Sequence, residues 1–290
     1  MRKLLAALTI TLSAAVLIAP SAWAEPGVEP AGAVAIPEGP AQAWLLADLD
    51  NGRILASRNP YEPHAPASTI KALLAMVVLD QLPLNAVIAA QPANTDVECS
   101  CAGVKAGRAY TVRQLLDGLM LVSGNDAANT LADGLGGYQV AVAKMNATAA
   151  SIGAMNTHAS TPSGLDGSGG PGFTTPRDLA IIFRAAMANP TFAQITSQPV
   201  AMFPTDAGEK PLVNEDELLH RYPGTIGGKT GFTDAAKKTF IAAADRGGRR
   251  LVVAMMYGLI KEGGPTYWDQ AAGLLDWGFA QDPRAGIGSL

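Results

Sequence analysis

Ser68 and Lys71 stand three residues apart in Ala67-Ser68-Thr69-Ile70-Lys71, ahead of an apolar run (Leu73, Leu74, Met76, Val77, Val78, Leu79) at helical spacing. Positions i and i+3 of a helix share a face, so the Lys71 amine can reach the Ser68 hydroxyl. That pairing fits nucleophilic catalysis, because a serine hydroxyl is a weak nucleophile until a nearby base takes its proton. A free lysine, with a pKa of about 10.4, is a poor base at neutral pH. Burial and a neighbouring cation both lower that value. The apolar run predicts a semi-buried Lys71 amine, and Lys229 is the candidate cation. Bringing the amine to near neutrality takes several kcal/mol from the surrounding site, at about 1.4 kcal/mol for each tenfold change in its proton affinity. A helix start adds unpaired N–H groups and a positive dipole, both favourable to an oxyanion. Taken alone, the same residues read as an N-cap serine and a solvated lysine.

Ser123-Gly124-Asn125 lies between two helical runs. By itself it is a capped turn, since Ser, Asn and Asp favour helix starts. Beside Ser68 it would offer the Ser123 hydroxyl as a proton relay to a leaving amine, and the Asn125 amide as a hold on both Lys71 and a substrate carbonyl. Lys229-Thr230-Gly231 reads alone as part of an edge strand. Such an edge lets an extended peptide pair by β-addition. Gly231 permits close backbone approach, and Lys229 with Thr230 would receive a carboxylate. Each segment is a weak signal alone; the three in this order are a strong one.

These residues need elements to position them. Asp50-Asn51-Gly52 separates two short apolar runs, a hairpin signal. Helical patterns follow from Ser68, and then over Val112–Leu121, Asp126–Leu135, Val140–Ile152 and Arg177–Ala188, with Gly/Ser/Pro-rich turns between them. After Gly231 the pattern is extended: Thr239–Ala244 and Leu251–Tyr257 form a second hairpin, and Trp268–Phe279 a closing helix. Strands at both ends around a helical block predict an α+β fold: one antiparallel sheet built from both chain ends, with flanking helices and an inserted helical subdomain.

The chain is 48% apolar, which allows a sizeable core, and its net charge of −4 gives no basic footprint for nucleic acid or anionic lipid. Arg2 and Lys3, the apolar stretch Leu4–Ala19 and Ala22-Trp23-Ala24 read as a signal peptide with cleavage after Ala24. The predicted organisation is a leader over 1–24, a Pro/Gly-rich linker or loosely held arm over 25–40, a catalytic domain over 41–280 and a tail over 281–290. The expected location is the periplasm, cell wall or extracellular space. Export permits a disulfide, and Cys99 and Cys101 are read as a small C-x-C loop, with two free thiols as the alternative. Two cysteines cannot fill a zinc site, and His64, His158 and His220 lack metal-pair spacing, so neither metal nor other cofactor is expected.

The ordered set of motifs resembles the penicilloyl-serine transferases, and more narrowly the low-molecular-mass penicillin-binding proteins with D-alanyl-D-alanine carboxypeptidase activity. Supporting stretches are Thr111-Val112-Arg113-Gln114-Leu115-Leu116, Ser123 through Asn129, Pro162-Ser163-Gly164-Leu165-Asp166 and Gly228 through Thr233. The resemblance runs from about Gln42 to Phe279. It implies Ser68 as acyl-ester nucleophile, Lys71 as its proton acceptor, Ser123 as third member of the triad, and Asn125, Lys229, Thr230, Gly231 and Phe232 as substrate-binding residues. The N–H groups of Ser68 and Phe232 would form the oxyanion hole. It further implies peptidoglycan stem peptides ending in D-Ala-D-Ala as substrates and β-lactams as covalent inhibitors. A monomer without a stable membrane anchor is expected.

Two departures from the family pattern stand out. Members often carry N-x-N before Leu-Leu, whereas this chain has Asn214-Glu215-Asp216-Glu217-Leu218-Leu219, with Asp216 in place of the second Asn. The further β domain and C-terminal anchor of many relatives are not matched. Rival readings share the motifs: a D,D-endopeptidase, a class A-like β-lactamase, or a β-lactam or muropeptide sensor that is acylated without turnover. Class A β-lactamases use a loop glutamate to deacylate, and there is no Glu between Asp126 and Gly208.

Overall fold

The computed structural model describes residues 27–167, 170–258 and 262–290, so the leader read over residues 1–24 lies outside the described residues. The turn at Asn51-Gly52 joins β1 (Ala43–Asp48) to β2 (Arg53–Arg58), an antiparallel pair. A 3-10 turn (Ala67–Ile70) leads into α1 (Lys71–Gln81). Then come β3 (Val87–Ala89), α2 (Pro92–Thr95), β4 (Ala109–Thr111), α3 (Val112–Leu121), α4 (Asn125–Gly134), α5 (Tyr138–Ser151), α6 (Pro176–Met187) and α7 (Pro190–Ser197). The closing half holds β5 (Val200–Thr205), β6 (Gly208–Val213), α8 (Glu217–Arg221), β7 (Thr225–Thr233), β8 (Lys237–Arg246), β9 (Arg249–Met256), α9 (Tyr267–Ala280) and β10 (Gly288–Ser289).

Strands from both chain ends form one antiparallel sheet in the order β10-β2-β1-β9-β8-β7. Its middle strands read as nearly continuous apolar runs because both faces are covered. Successive side chains on a strand point to opposite faces. Ala43, Leu45 and Ala47 of β1, with Val252 and Ala254 of β9, join the core shared with the helical block. Their neighbours Trp44, Leu46, Val253 and Met255 pack with Trp268, Leu274 and Trp277 of α9 on the other side. α1 runs through the helical core with Leu73, Leu74, Val77 and Val78 all buried. A helix buried on nearly every side needs the all-round apolar pattern this segment has.

Several elements differ from the sequence reading, which has no counterpart for β3, α2, β4, α7, α8 or β10. The hairpin β5–β6 has no counterpart in it: Pro204 and Pro211 sit within the strands and remove ladder donors, which hides a strand signal. β7 begins at Thr225, earlier than the extended pattern read after Gly231, and Lys229-Thr230-Gly231 lies in an edge strand, as that segment read on its own; Gly227, Gly228 and Gly231 dilute the β-propensity of the strand's start. The arm read as a linker has specific contacts over its described part. Val28 exchanges both backbone hydrogen bonds with Ser57 on the outer edge of β2 (2.7 and 3.1 Å), and Trp277 Nε1 donates to Val34 O (2.6 Å). Further along that edge, Ile287 N donates to Ile54 O (2.8 Å), beside the β10 pairing.

Candidate active site

Ser68 sits in the 3-10 turn, one residue after Ala67, whose φ of 47° lies in the left-handed region. Ser123, between α3 and α4, has a φ of 59°. Non-glycine residues held there cost of order 1–3 kcal/mol each, and such positions cluster at functional sites. The Ser68 turn is tied down by the hydroxyls of Thr69 and Thr239, which both donate to Pro66 O (2.6 and 2.9 Å). Thr239 lies on β8, so the sheet itself anchors the turn that presents Ser68.

Lys71 is the first residue of α1 and is fully buried. Its Nζ lies 2.7 Å from each of Ser68 Oγ, Asn125 Oδ1 and Ser163 O. Asn125 opens α4, and its Nδ2 donates to Glu98 O (2.7 Å). Burial holds the Lys71 amine well below the usual lysine range, reinforced by the positive charge of Lys229; Asp126 and Glu215 act in the opposite direction. Lys229 is also buried, and its Nζ donates to Thr230 O (2.7 Å). Burial brings its pKa down to about 8, with Glu215 and Asp216 opposing.

A cleft of about 530 Å³ opens above these groups, lined by Ser68, Ser123, Asn125, Thr230, Gly231 and Phe232. Lys71 and Lys229 lie beneath its surface. β7 is the last strand of the sheet and forms one wall with its free edge. A β-carbon on Gly231 would come within 2.9 Å of Ser68 N and 2.4 Å of Thr239 Oγ1, so only glycine lets β7 approach the nucleophile turn this closely. The structure thus brings every sequence-predicted site residue into one locus. Residues that sequence reasoning missed complete it. Ser163 contributes a backbone carbonyl, and Glu98, Cys99, Ser100, Lys238, Tyr267 and Trp268 line the cleft. Cys99 and Cys101 are joined in a disulfide. Among the described residues, no group of three or more His, Cys, Asp or Glu could hold a metal.

Asp216, the family-discordant residue, is buried at the start of α8. Oδ1 accepts from Leu218 N (3.0 Å), while Oδ2 is buried without a partner against Gly228, where an added β-carbon would lie 2.4 Å from it. Burial raises its pKa to about 6. It therefore sits behind β7, next to the residue that precedes Lys229.

This arrangement, a serine and a buried lysine at a helix start facing the edge of an antiparallel sheet, defines a serine acyl-transfer enzyme. A family profile described as D-alanyl-D-alanine carboxypeptidase, peptidase S11, matches residues 31–258. The chain is 68% identical over 268 residues to D-alanyl-D-alanine carboxypeptidase DacB2 of Mycobacterium tuberculosis, covering 92% of each. It is 34% identical over 299 residues to the D-alanyl-D-alanine carboxypeptidase of Streptomyces sp. strain K15, covering 97% of this chain and 100% of that one. The crystal structure of a D-alanyl-D-alanine carboxypeptidase from M. tuberculosis superposes with a TM-score of 0.90 at 68% identity, over 91% of this chain and all of that one. The Streptomyces K15 DD-transpeptidase structure gives 0.78 at 31% identity, over 86% of this chain and all of that one. The chain belongs to the D-alanyl-D-alanine carboxypeptidase family, a family of serine peptidases, and has its α+β penicillin-binding fold.

Proposed function

We propose that the chain removes the terminal D-alanine from peptidoglycan stem peptides ending in D-Ala-D-Ala, through an ester on Ser68. The observation that carries this reading is the buried Lys71 Nζ lying 2.7 Å from Ser68 Oγ. A neutral Lys71 amine takes the Ser68 proton as Oγ attacks the penultimate D-alanine carbonyl. The N–H groups of Ser68 and Phe232 hold the oxyanion, as the family resemblance implies. Ser123 passes a proton to the leaving amine, and the C–N bond breaks. Lys229 and Thr230 hold the substrate's carboxylate, and the peptide extends along the free edge of β7. Water then attacks the ester, returning Ser68 and the shortened peptide. The two amines divide the work because their environments differ: burial and the neighbouring Lys229 charge lower the proton affinity of Lys71 and suit it to the base role, whereas Lys229, with a pKa of about 8, stays charged at neutral pH.

Incubating the mature protein with a D-Ala-D-Ala-terminated pentapeptide should release D-alanine, and Ser68→Ala should abolish both this release and covalent labelling by penicillin. A penicilloyl adduct on the Ser68→Ala protein, seen by intact mass, would overturn the reading. With no glutamate between Asp126 and Gly208 to activate water, penicillin should form a long-lived adduct while peptidyl esters turn over quickly. The leaving D-alanine diffuses away and admits water; a β-lactam's leaving amine stays tethered and obstructs it. Adduct decay within seconds would favour the β-lactamase reading. We further propose export with cleavage after Ala24 and action in the cell wall as a monomer; N-terminal sequencing of secreted protein should begin at Glu25.

A further inference from the structure

The Cys99–Cys101 disulfide closes a three-residue loop, with Cα atoms 5.0 Å apart. Cys99 and Ser100 lie in the wall of the cleft, beside Ser123 and Asn125. The carbonyls flanking and inside this loop are the partners of Asn125. Glu98 O accepts from Asn125 Nδ2, and Ser100 O accepts from Asn125 N, both at 2.7 Å. The adjoining residue, Asp126, takes the next stretch of the same segment: its carboxylate accepts from the N–H groups of Ala102, Gly103 and Val104 at 2.9, 2.8 and 2.8 Å. The start of α4 and the 98–104 segment therefore hold one another in register.

The consequence reaches Lys71 through a single amide. A primary amide presents an acceptor at one end and two donors at the other. Rotated by half a turn, Asn125 would aim N–H groups at the Lys71 amine, which is itself a donor. The Glu98 carbonyl prevents this by engaging Nδ2, leaving Oδ1 2.7 Å from Lys71 Nζ. The disulfide in turn fixes the chain direction at residue 99 and hence where the Glu98 and Ser100 carbonyls point. We propose that the Cys99–Cys101 disulfide is a positioning element of the acylation site, setting the Asn125 amide and through it the Lys71 amine, so that acylation of Ser68 depends on the redox state of this pair. The inference rests on the proposed role of Lys71. Reduction needs a dithiol: its two thiols supply two electrons and two protons, the Cys99–Cys101 bond breaks to two thiols, and the reductant closes to its own disulfide.

The test uses dithiothreitol-treated protein, with release of two thiols verified by alkylation and intact mass. The rate of fluorescent-penicillin labelling should fall at least tenfold on reduction and recover on reoxidation. The Cys99→Ser/Cys101→Ser variant should show the low rate with or without dithiothreitol. In an Asn125→Ala background, reduction should change the residual rate less than twofold, because the effect travels through Asn125. Unchanged labelling of the reduced wild-type protein overturns the proposal. So does an equal fractional loss in the Asn125→Ala background, which marks general loosening of the cleft. Where Asn125→Ala labels too slowly to follow, the wild-type saturation curve decides. A fall in the limiting acylation rate, with the apparent dissociation constant moved less than threefold, supports positioning; a change confined to the dissociation constant refutes it. An adduct on Ser68→Ala would instead refute the underlying reading, independently of any thiol.

Discussion

Lys71 and Lys229 are both buried, yet the proposed reaction needs one neutral and one charged. That division gives a bell-shaped dependence of kcat/KM on pH: activity rises as Lys71 loses its proton and falls as Lys229 loses its own near pH 8. Lys71→Arg should cost about 100-fold or more in acylation, because arginine does not deprotonate and general-base catalysis contributes 10²–10⁴; near-native labelling would remove lysine from the role of base. Asp216 adds a second titration. Its carboxyl ionises near 3.8 when unfolded and about 6 when folded, so ionisation destabilises the fold. The penalty is absent below pH 3.8, grows as pH rises, and is complete above about 6. Asp216→Asn should therefore raise Tm at about pH 7.5 and leave it unchanged near about pH 3.5. Because Asp216 supports the charge on Lys229, the same substitution should also move the alkaline limb of the activity profile to lower pH. Residues of this kind were legible where a side chain carries the chemistry in a short motif. The Ser163 and Glu98 contributions were not, since a backbone carbonyl leaves no trace in residue identity.

At the scale of elements, the free edge of β7 and the Ser68 turn work as a unit, and Gly231 is the point of closest approach. Gly231→Ala places a methyl group against Ser68 N and Thr239 Oγ1. It should slow penicillin acylation more than tenfold while circular dichroism stays native; an unaltered rate would show that this proximity is dispensable. α3 was legible to the residue, because Thr111 and Gln114 cap it reciprocally and its apolar positions recur at helical spacing. The β5–β6 hairpin was opaque because its prolines speak against a strand, and pairing with a neighbour across a tight turn overrides that local signal. Lys238, Tyr267 and Trp268 reach the cleft from β8 and α9. Only tertiary assembly brings them there, and no spacing in the chain announces it.

For the molecule as a whole, the sheet is covered on both faces, which accounts for the continuous apolar runs of β8 and β9. What composition concealed is the work of the chain's margins. The Pro- and Gly-rich segment before β1 carries no periodic pattern, yet Ile36 and Ala33 pack against the α9 core and Val34 accepts from the Trp277 indole. Deleting residues 27–40 should lower Tm by about 5 °C or more, since it removes the packing of Ile36 and Ala33 together with the Trp277–Val34 hydrogen bond, a loss of about 2 kcal/mol; calorimetry showing no change would make this segment a mere tether. Val28 and the 287–290 segment meet the outer edge of β2 from opposite ends of the sequence, at Ser57 and at Ile54. An uncovered strand edge is a template on which other chains add and aggregate. With one flank of the sheet closed in this way, the flank left to accept a guest strand is the one beside Ser68. The same closure that protects the protein from sticking to its own copies confines strand capture to the place where a captured strand can be cut.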